Sequence, residues 1–425
     1  MTTKLILFTS AFPYGLRETF LVPELPHLCQ AFDRIVIMPM RGAGSWRTLP
    51  ANVEVAEPLW TTRNGKIRFF VRAMLSPRSW ALFFRESAHV VKTYSRFHVA
   101  LFVNILHWAL YRGALERCDA VREALRSPEG VVAYSYWGHI PSLAMPTLAD
   151  AGIPSIVRYH RADLYLDGMN AYGYYHRSIR YFPWRDEIAR KSTRSVFISQ
   201  HGLDYFLENW GKSLSFPEQA VVRRLGVDDC GVNPGRSESR SEPFVVVSCS
   251  TVAVTKRVHL IAAFVKELSK SKEVVWYHFG PGECNLLARE VETADSPQLQ
   301  IHLRGWVEND EIMEFYLRNH VDLFVNLSLS EGVPVSIMEA VSFGIPTLAT
   351  DVGGSSEVVL NGESGLIIGL NEATDSKRLT EMVLDALLPG GALERCTPRS
   401  VWKERFDACA NFSTFAQELR RLANG

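Results

Sequence analysis

Short apolar runs separated by helix-length segments set the rhythm of the chain. Leu5-Ile-Leu-Phe, Arg34-Ile-Val-Ile-Met, Val131-Val-Ala-Tyr, Ser155-Ile-Val-Arg-Tyr and Ser195-Val-Phe-Ile mark the first half. The rhythm restarts after Pro243 with Phe244-Val-Val-Val-Ser, Val274-Val-Trp-Tyr-His-Phe, Ile301-His-Leu, Leu323-Phe-Val and Thr347-Leu-Ala-Thr. Strands that alternate with helices build a parallel, doubly wound sheet, so an α/β chain with two Rossmann-like domains is expected. Between the two series, Asp228 to Pro243 is Gly, Pro, Ser and alternating charge with no apolar period, which reads as a linker. The expected organisation is a first domain over 1–228, a linker over 229–243, a second domain over 244–400, and a last helical segment, 401–425, returning to the first domain. Ligands of open parallel sheets bind outside the carboxyl ends of the strands, so a substrate is expected in a cleft between two facing domains.

A length of 425 residues fits two domains, each with its own core. The 46 basic residues balance the 46 acidic ones, and 47% hydrophobic content is ordinary for a globular chain, so no global feature points to nucleic acid or disorder. Seven scattered cysteines without a Cys-x-x-Cys pair speak for a reducing compartment, the cytoplasm, and against structural zinc. The opening Met1-Thr-Thr-Lys-Leu-Ile-Leu-Phe has too short an apolar core for a signal peptide. The longest apolar stretch, Val99 to Tyr111, carries Asn104 and His107 and is shorter than the ~20 residues of a membrane span, so no transmembrane helix is expected.

The densest chemistry lies in Ser328-Leu-Ser-Glu331-Gly-Val-Pro-Val-Ser-Ile-Met-Glu339-Ala-Val-Ser-Phe-Gly344-Ile-Pro, followed by Asp351-Val-Gly353-Gly354. Pro334 suits the first position of a helix and Gly344 its end, which predicts a helix of about ten residues behind the loop that holds Glu331. Its N-terminus would offer free N–H groups and a positive dipole end to an anion such as a diphosphate. Gly332 permits close backbone approach. Glu331 then stands beside the phosphates and Glu339 roughly 10 Å further along at 1.5 Å per residue. Each carboxylate can accept hydrogen bonds from two neighbouring hydroxyls, as on a sugar ring or a ribose. Two solvated glutamates on a helix would be the plain alternative for either one alone. Lys256 and Arg257 at a helix start are unfavourable to the dipole unless an anion lies between them. Gly280 and Gly282 make a weak dinucleotide fingerprint, because Asn285 holds the third glycine position; no NAD or other cofactor is expected.

The long motif with its trailing Asp-x-Gly-Gly resembles the C-terminal signature of the family 4 glycosyltransferases of GT-B fold. That resemblance implies a sugar transfer from a nucleotide-diphosphate donor with retention of configuration. It assigns Glu331 to donor-sugar hydroxyls, Glu339 to the ribose, and the amides of Gly332 and Val333 to the phosphates. Ser248 to Ile261 resembles the family's first C-terminal strand and loop, where Lys256 would neutralise the leaving diphosphate. Many members carry an arginine where this chain has Thr251, so either Arg257 substitutes for the missing charge or phosphate is held less strongly than in the commoner pattern. Phe279-Gly280-Pro-Gly282-Glu resembles the family's glycine turn, and Arg304-Gly305-Trp306-Val307-Glu the segment whose backbone reads the nucleobase. In the first half, Val157-Arg-Tyr-His160-Arg-Ala-Asp163 looks like the family's strand-end histidine, and Thr9 to Phe20, with Gly15 and Glu18, resembles the opening of bacterial surface-polysaccharide transferases. A helix cap is an equal alternative for Glu18.

The 61–100 segment holds eight basic residues against one acid, with Phe69, Phe70, Trp80, Phe83 and Phe84 interleaved. Such a stretch suits peripheral contact with an anionic membrane near a lipid-linked acceptor, or else helices whose aromatic face is ordinary core. No Asp-x-Asp occurs and no His, Cys, Asp or Glu cluster has metal-ligand spacing, so metal-independent chemistry is expected; the resemblance implies a hexosyl transfer to a glycan or lipid-linked saccharide. A sugar-nucleotide epimerase or phosphorylase of the same architecture and a non-catalytic, nucleotide-sugar-binding scaffold are the alternatives.

Overall fold

The computed structural model describes residues 2–15, 18–45, 47–94, 99–165, 181–211, 214, 217–235, 242–294 and 296–425. The chain forms two compact units, one of Met1–Arg223 with Phe412–Gly425 and one of Arg224–Asn411.

The first unit is built on a seven-stranded sheet of β1 (Lys4–Thr9), β2 (Arg34–Pro39), β3 (Val53–Val55), β4 (Val131–Ser135), β5 (Ser155–Tyr159), β6 (Arg194–Phe197) and β7 (Ala220–Val222), in the order β3-β2-β1-β4-β5-β6-β7. Every neighbouring pair is parallel. Side chains alternate across the strands, so the sheet has a core on each face. Leu5, Leu7, Ile35, Ile37 and Val132 pack on one side with Phe415, Ala416 and Leu419. Ile6, Phe8, Val36, Met38 and Ala133 face a thicker core that includes Ile105 and Trp108. The helices used below are α1 (Leu25–Ala31), α2 (Arg63–Met74), α3 (Pro77–Tyr94), α4 (Val99–Leu115) and α5 (Arg161–Leu164).

The second unit carries β8 (Phe244–Cys249), β9 (Val274–Phe279), β10 (Leu299–Gly305), β11 (Leu323–Asn326), β12 (Thr347–Thr350) and β13 (Gly365–Ile368), in the order β10-β9-β8-β11-β12-β13. It is again parallel throughout. Its helices include α6 (Val258–Leu268), α7 (Asn309–Arg318), α8 (Val335–Ser342) and α9 (Pro398–Arg405). The two expected doubly wound sheets are therefore present, with β3, β7 and β13 as strands that the apolar pattern does not reveal. In both sheets the strand order reverses once, between β1 and β4 and between β8 and β11. Loops that leave the carboxyl ends of those pairs diverge and open a crevice, the usual ligand position of such sheets.

The second unit starts at Arg224, ahead of the segment expected as a linker. Asp229 takes the Arg399 guanidinium at 2.6 Å on both carboxylate oxygens. The Asn233 side chain donates to the Tyr316 and Asn319 carbonyls at 2.6 and 2.8 Å and accepts from the Val321 amide at 2.9 Å. Those carbonyls end α7 and need partners, which is why this polar stretch is docked. The rest of that expected linker, 236–241, lies outside the described residues, as do residues 95–98 of the basic segment. No described helix is long and apolar enough to cross a membrane.

Candidate functional site

The second unit gathers its signature residues at the β8/β11 crevice. Lys256 closes the loop after β8, and Glu331 stands in the loop between β11 and α8. The Lys256 ammonium meets Glu331 Oε1 at 2.5 Å, and Asn326 Nδ2 donates to the same oxygen at 3.3 Å. Asn326 is the last residue of β11 and also accepts the Ser328 amide at 3.0 Å, so one side chain orders the loop and aims its carboxylate. The two loops are tied directly by Leu329 N–H to the Thr255 carbonyl at 2.8 Å. Thr350 Oγ1 holds the Ser328 carbonyl at 2.6 Å from the next strand.

Gly353 and Gly354 press against the back of this loop. The Gly354 amide donates to the Gly332 carbonyl at 2.6 Å. A Cβ on Gly353, whose φ is +57°, would lie 2.0 Å from the Glu331 carbonyl oxygen, so only glycine lets the two turns touch. Helix α8 begins at Val335 with Pro334 as its N-cap, one position later than the sequence suggests. Among the described residues the Gly332 and Val333 amides have no acceptor. Open N–H groups at a helix start beside a lysine are a chemical match for phosphate oxygens.

Glu339 lies on α8, and Asn309, the first residue of α7, donates to its Oε1 at 2.8 Å. Burial pushes the Glu339 carboxyl up to about 7 against that hydrogen bond. Trp306, at the exit of β10, is 58% exposed, with Gly305 in the left-handed region at φ +65° and Val307 half-buried. The Gly305 carbonyl accepts the Gly280 amide at 2.7 Å. A Cβ on Gly280 would stand 1.8 Å from the Ser250 carbonyl oxygen; the glycine is required by the loop after β8.

Arg257, expected beside the phosphates, points into the fold. Its backbone is left-handed, at φ 49°, which turns the guanidinium inward, where it donates to the Leu327 carbonyl at 2.6 Å and approaches those of Leu370 and Ser328 at 3.4 and 3.5 Å. It is buried and braces the loop, and Thr251 is exposed. Asn326 and Asn309 also shape the site, outside the motifs that mark the other residues. Asn326 was visible as the one polar residue of Leu323-Phe-Val-Asn326; Asn309 carries no local signal. No group of three or more His, Cys, Asp or Glu among the described residues is arranged to hold a metal ion.

In the first unit, His160 follows β5 as the N-cap of α5. Its ring sits among Trp137, Tyr136 and Phe20, with centroids 4.7, 5.0 and 5.7 Å away. Burial, and then the Arg158 charge, hold its pKa well below the ordinary histidine value, so the imidazole is neutral. Its Nε2 has no hydrogen-bond partner among the described residues. Asp163 positions it: the carboxylate accepts the His160 amide at 2.6 Å and the Gly138 amide at 2.5 Å, which clamps the loops after β4 and β5 together. Glu18 performs the same task after β1. It makes no side-chain helix cap; it accepts the amides of Ser10, Ala11 and Phe12 at 3.0, 2.7 and 2.7 Å, and Trp137 Nε1 at 2.5 Å. Gly15 shapes that loop through its amide, which donates to the Ser45 carbonyl at 2.8 Å with φ at +68°.

Residues 233–395 match the family model of the group 1 glycosyl transferases. The putative colanic acid biosynthesis glycosyltransferase WcaL of Salmonella typhimurium is 26% identical over 168 residues, 37% of this chain and 40% of its own length. The GtfA subunit of the UDP-N-acetylglucosamine–peptide N-acetylglucosaminyltransferase of Streptococcus parasanguinis is 28% identical over 152 residues, 35% of this chain and 29% of its own. The chain thus spans under half the length of these curated relatives. Anabaena Alr3699/HepE, solved in complex with UDP, superposes with a TM-score of 0.64 at 15% identity, covering 99% of this chain and 100% of that one. The lipopolysaccharide outer core galactosyltransferase WaaB, in its apo form, does so with a TM-score of 0.61 at 13% identity over 97% and 98%. The two parallel-sheet units have the fold of the GT-B transferases, and the second holds the region that matches the group 1 glycosyl transferase model.

Proposed function

We propose that the chain is a retaining glycosyltransferase that moves a hexose-type sugar from a nucleotide-diphosphate donor to a glycan or lipid-linked saccharide in bacterial surface polysaccharide assembly. The observation that carries this reading is the Lys256–Glu331 pair beside the open amides of Gly332 and Val333. One crevice offers a cation and N–H donors for a diphosphate and a carboxylate for sugar hydroxyls. The Lys256–Glu331 contact is the resting arrangement; a donor exchanges it, with diphosphate on Lys256 and hydroxyls on Glu331. Glu339 takes the ribose, and Gly305, Trp306 and Val307 border the base.

In the reaction the acceptor hydroxyl oxygen bonds to the anomeric carbon on the face from which the diphosphate leaves. The bond from that carbon to the diphosphate oxygen breaks, and a leaving-group oxygen takes the acceptor's proton. Charge that develops on the diphosphate is met by Lys256 and the loop amides, so no metal is needed. His160 is the first unit's contribution, a neutral imidazole with an open Nε2. The names of WcaL and WaaB point toward polysaccharide and lipopolysaccharide, and the HepE complex toward UDP.

The chain acts in the cytoplasm at the inner face of the membrane, on an anionic lipid surface. The exposed stripe Ile67, Val71, Met74 and Leu75, set among Arg63, Arg68 and Arg72, supports this contact.

Thermal shift with UDP, GDP, ADP, CMP and their sugar conjugates, in chelator, tests the donor reading. One nucleotide stabilises the wild type and fails to stabilise Glu339→Ala. Stabilisation by none of them, with or without added metal, overturns it. Donor conversion without any acceptor would instead identify an epimerase. Lys256→Ala is expected to lower the transfer rate by about 10²–10³ with the fold intact, since an electrostatic donor is removed from the transition state.

A further inference from the structure

A second crevice opens in the first unit, where β1 and β4 part. It encloses about 670 Å³, room enough for a saccharide. Its walls include the rings of Phe20, Trp60, Tyr111 and Trp137. Flat aromatic faces against polar edges are the usual counterpart of a sugar ring, which presents C–H groups on one side and hydroxyls at its rim. The charges are less ordinary. Glu18 borders the pocket, but its carboxylate already accepts four N–H donors and has little capacity left for a ligand. Arg41 and Lys66 also line it, and among the described residues neither meets a carboxylate. Lys66 stands over the Trp60 ring at 5.8 Å, a position that holds its ammonium at the aromatic wall. The pocket therefore joins a stacking surface to two cations that meet no carboxylate among the described residues, whereas a neutral saccharide would need only hydroxyl partners.

We propose that this pocket is the acceptor subsite and that Arg41 and Lys66 select a saccharide that carries an anionic group, a phosphate ester or a carboxylate. The inference rests on the transferase reading above and adds the chemical class of its second substrate. It also assigns α2 two roles, since Lys66 turns into the pocket from the helix whose Ile67, Val71 and Met74 are exposed.

The test is direct binding, followed by tryptophan fluorescence, with UDP saturating so that the donor site is occupied. Glucose 1-phosphate, glucuronate, methyl glucoside and inorganic phosphate are the probes, and wild type, Arg41→Gln, Lys66→Gln and the double variant are compared. At least one anionic sugar should bind about ten-fold tighter than methyl glucoside, as expected of charge-assisted hydrogen bonds. The double variant should lose that preference while its UDP affinity and circular dichroism stay those of the wild type. Whichever of glucose 1-phosphate and glucuronate binds names the anion. Methyl glucoside binding as tightly, inorganic phosphate binding as tightly as its sugar ester, or a preference that survives in the double variant each overturns the proposal. Selective sugar binding in a protein that binds no nucleotide would sustain the subsite and sink the donor reading.

Discussion

Single residues in this chain are placed by backbone geometry as much as by side-chain chemistry. Lys256 and Arg257 are adjacent and equally charged, yet one reaches Glu331 and the other is turned into the fold by a left-handed φ of 49°. Nothing in a pair of basic letters distinguishes them, so their different placements are invisible in the sequence. Glu339 stands out in the sequence by resemblance, but its titration does not, because that depends on burial among residues far apart in sequence. A carboxyl raised to about 7 is stable when protonated. Its contribution to folding is present below the ordinary glutamate value and is lost as pH rises toward about 7, so Glu339→Gln should melt higher than wild type at pH 8 but not at pH 4. Asp163, also raised to about 7, titrates in both proteins and cancels in that comparison. If the ribose binds the ionised form, nucleotide affinity falls about ten-fold from pH 8 to pH 6 in wild type and stays flat in Glu339→Gln. A flat wild-type profile would remove Glu339 from the ribose. The fully buried Arg158–Glu24 pair offers a purely structural contrast. Arg158 packs on the Phe415 ring at 4.5 Å, and Glu24→Ala would strand its charge in the core, at a cost of about 3–5 kcal/mol in denaturant unfolding.

At the scale of elements, the long apolar strands announce themselves and the short ones do not. β1, β4 and β5 are buried along their whole length, so their runs stand out. β3 and β7 are three-residue edge strands, half-exposed, and β13 is four residues opening on a glycine; none is long enough to show a period. Aromatic content alone does not tell a surface face from a core face. Of the five rings for which a membrane face and ordinary core were both open, Phe69 is buried, Phe70, Trp80 and Phe83 are half-buried, and Phe84 alone is exposed. Phe69 packs on Trp60 and Tyr111 at 5.2 and 5.3 Å, so α2 spends its aromatics on the core and presents aliphatic residues outward. The Asp351-Val-Gly-Gly turn shows an element serving another element's loop. Gly353→Ala places a Cβ against the Glu331 carbonyl in a left-handed position, and should cost more than about 1 kcal/mol of stability. Because the displaced atoms belong to the Glu331 loop, isothermal titration should show nucleotide binding weakened even where the protein remains folded. Unchanged affinity in a folded Gly353→Ala would mean that the turn does not set the loop.

Over the whole molecule, equal numbers of acids and bases conceal an uneven distribution: the 61–100 segment holds eight bases and one acid. Some of that charge is internal to the fold. Arg78 is paired with Glu116 at 2.7 Å, and Arg85 with Glu187 at 3.0 Å. Arg63, Arg68 and Arg72 of α2 are exposed without such partners among the described residues, beside Val71 at 54% and Leu75 at 78% exposure. Val99 and Val103 of α4 are also exposed, at 70% and 62%. A folded unit with water on all sides gains nothing from leaving these residues uncovered, and an anionic bilayer would cover both kinds at once. Each cation near such a surface contributes about 1 kcal/mol, and the aliphatic side chains add burial in the interface. The protein should therefore co-sediment with vesicles containing phosphatidylglycerol at low salt, detach at high salt, and ignore pure phosphatidylcholine. Arg68→Glu with Arg72→Glu should remove the salt-sensitive part, and Val71→Glu with Leu75→Glu should weaken what remains, while nucleotide binding by the second unit persists. Failure of the wild type to co-sediment at low salt would eliminate the membrane contact and leave the stripe to some other partner, with the donor site untouched.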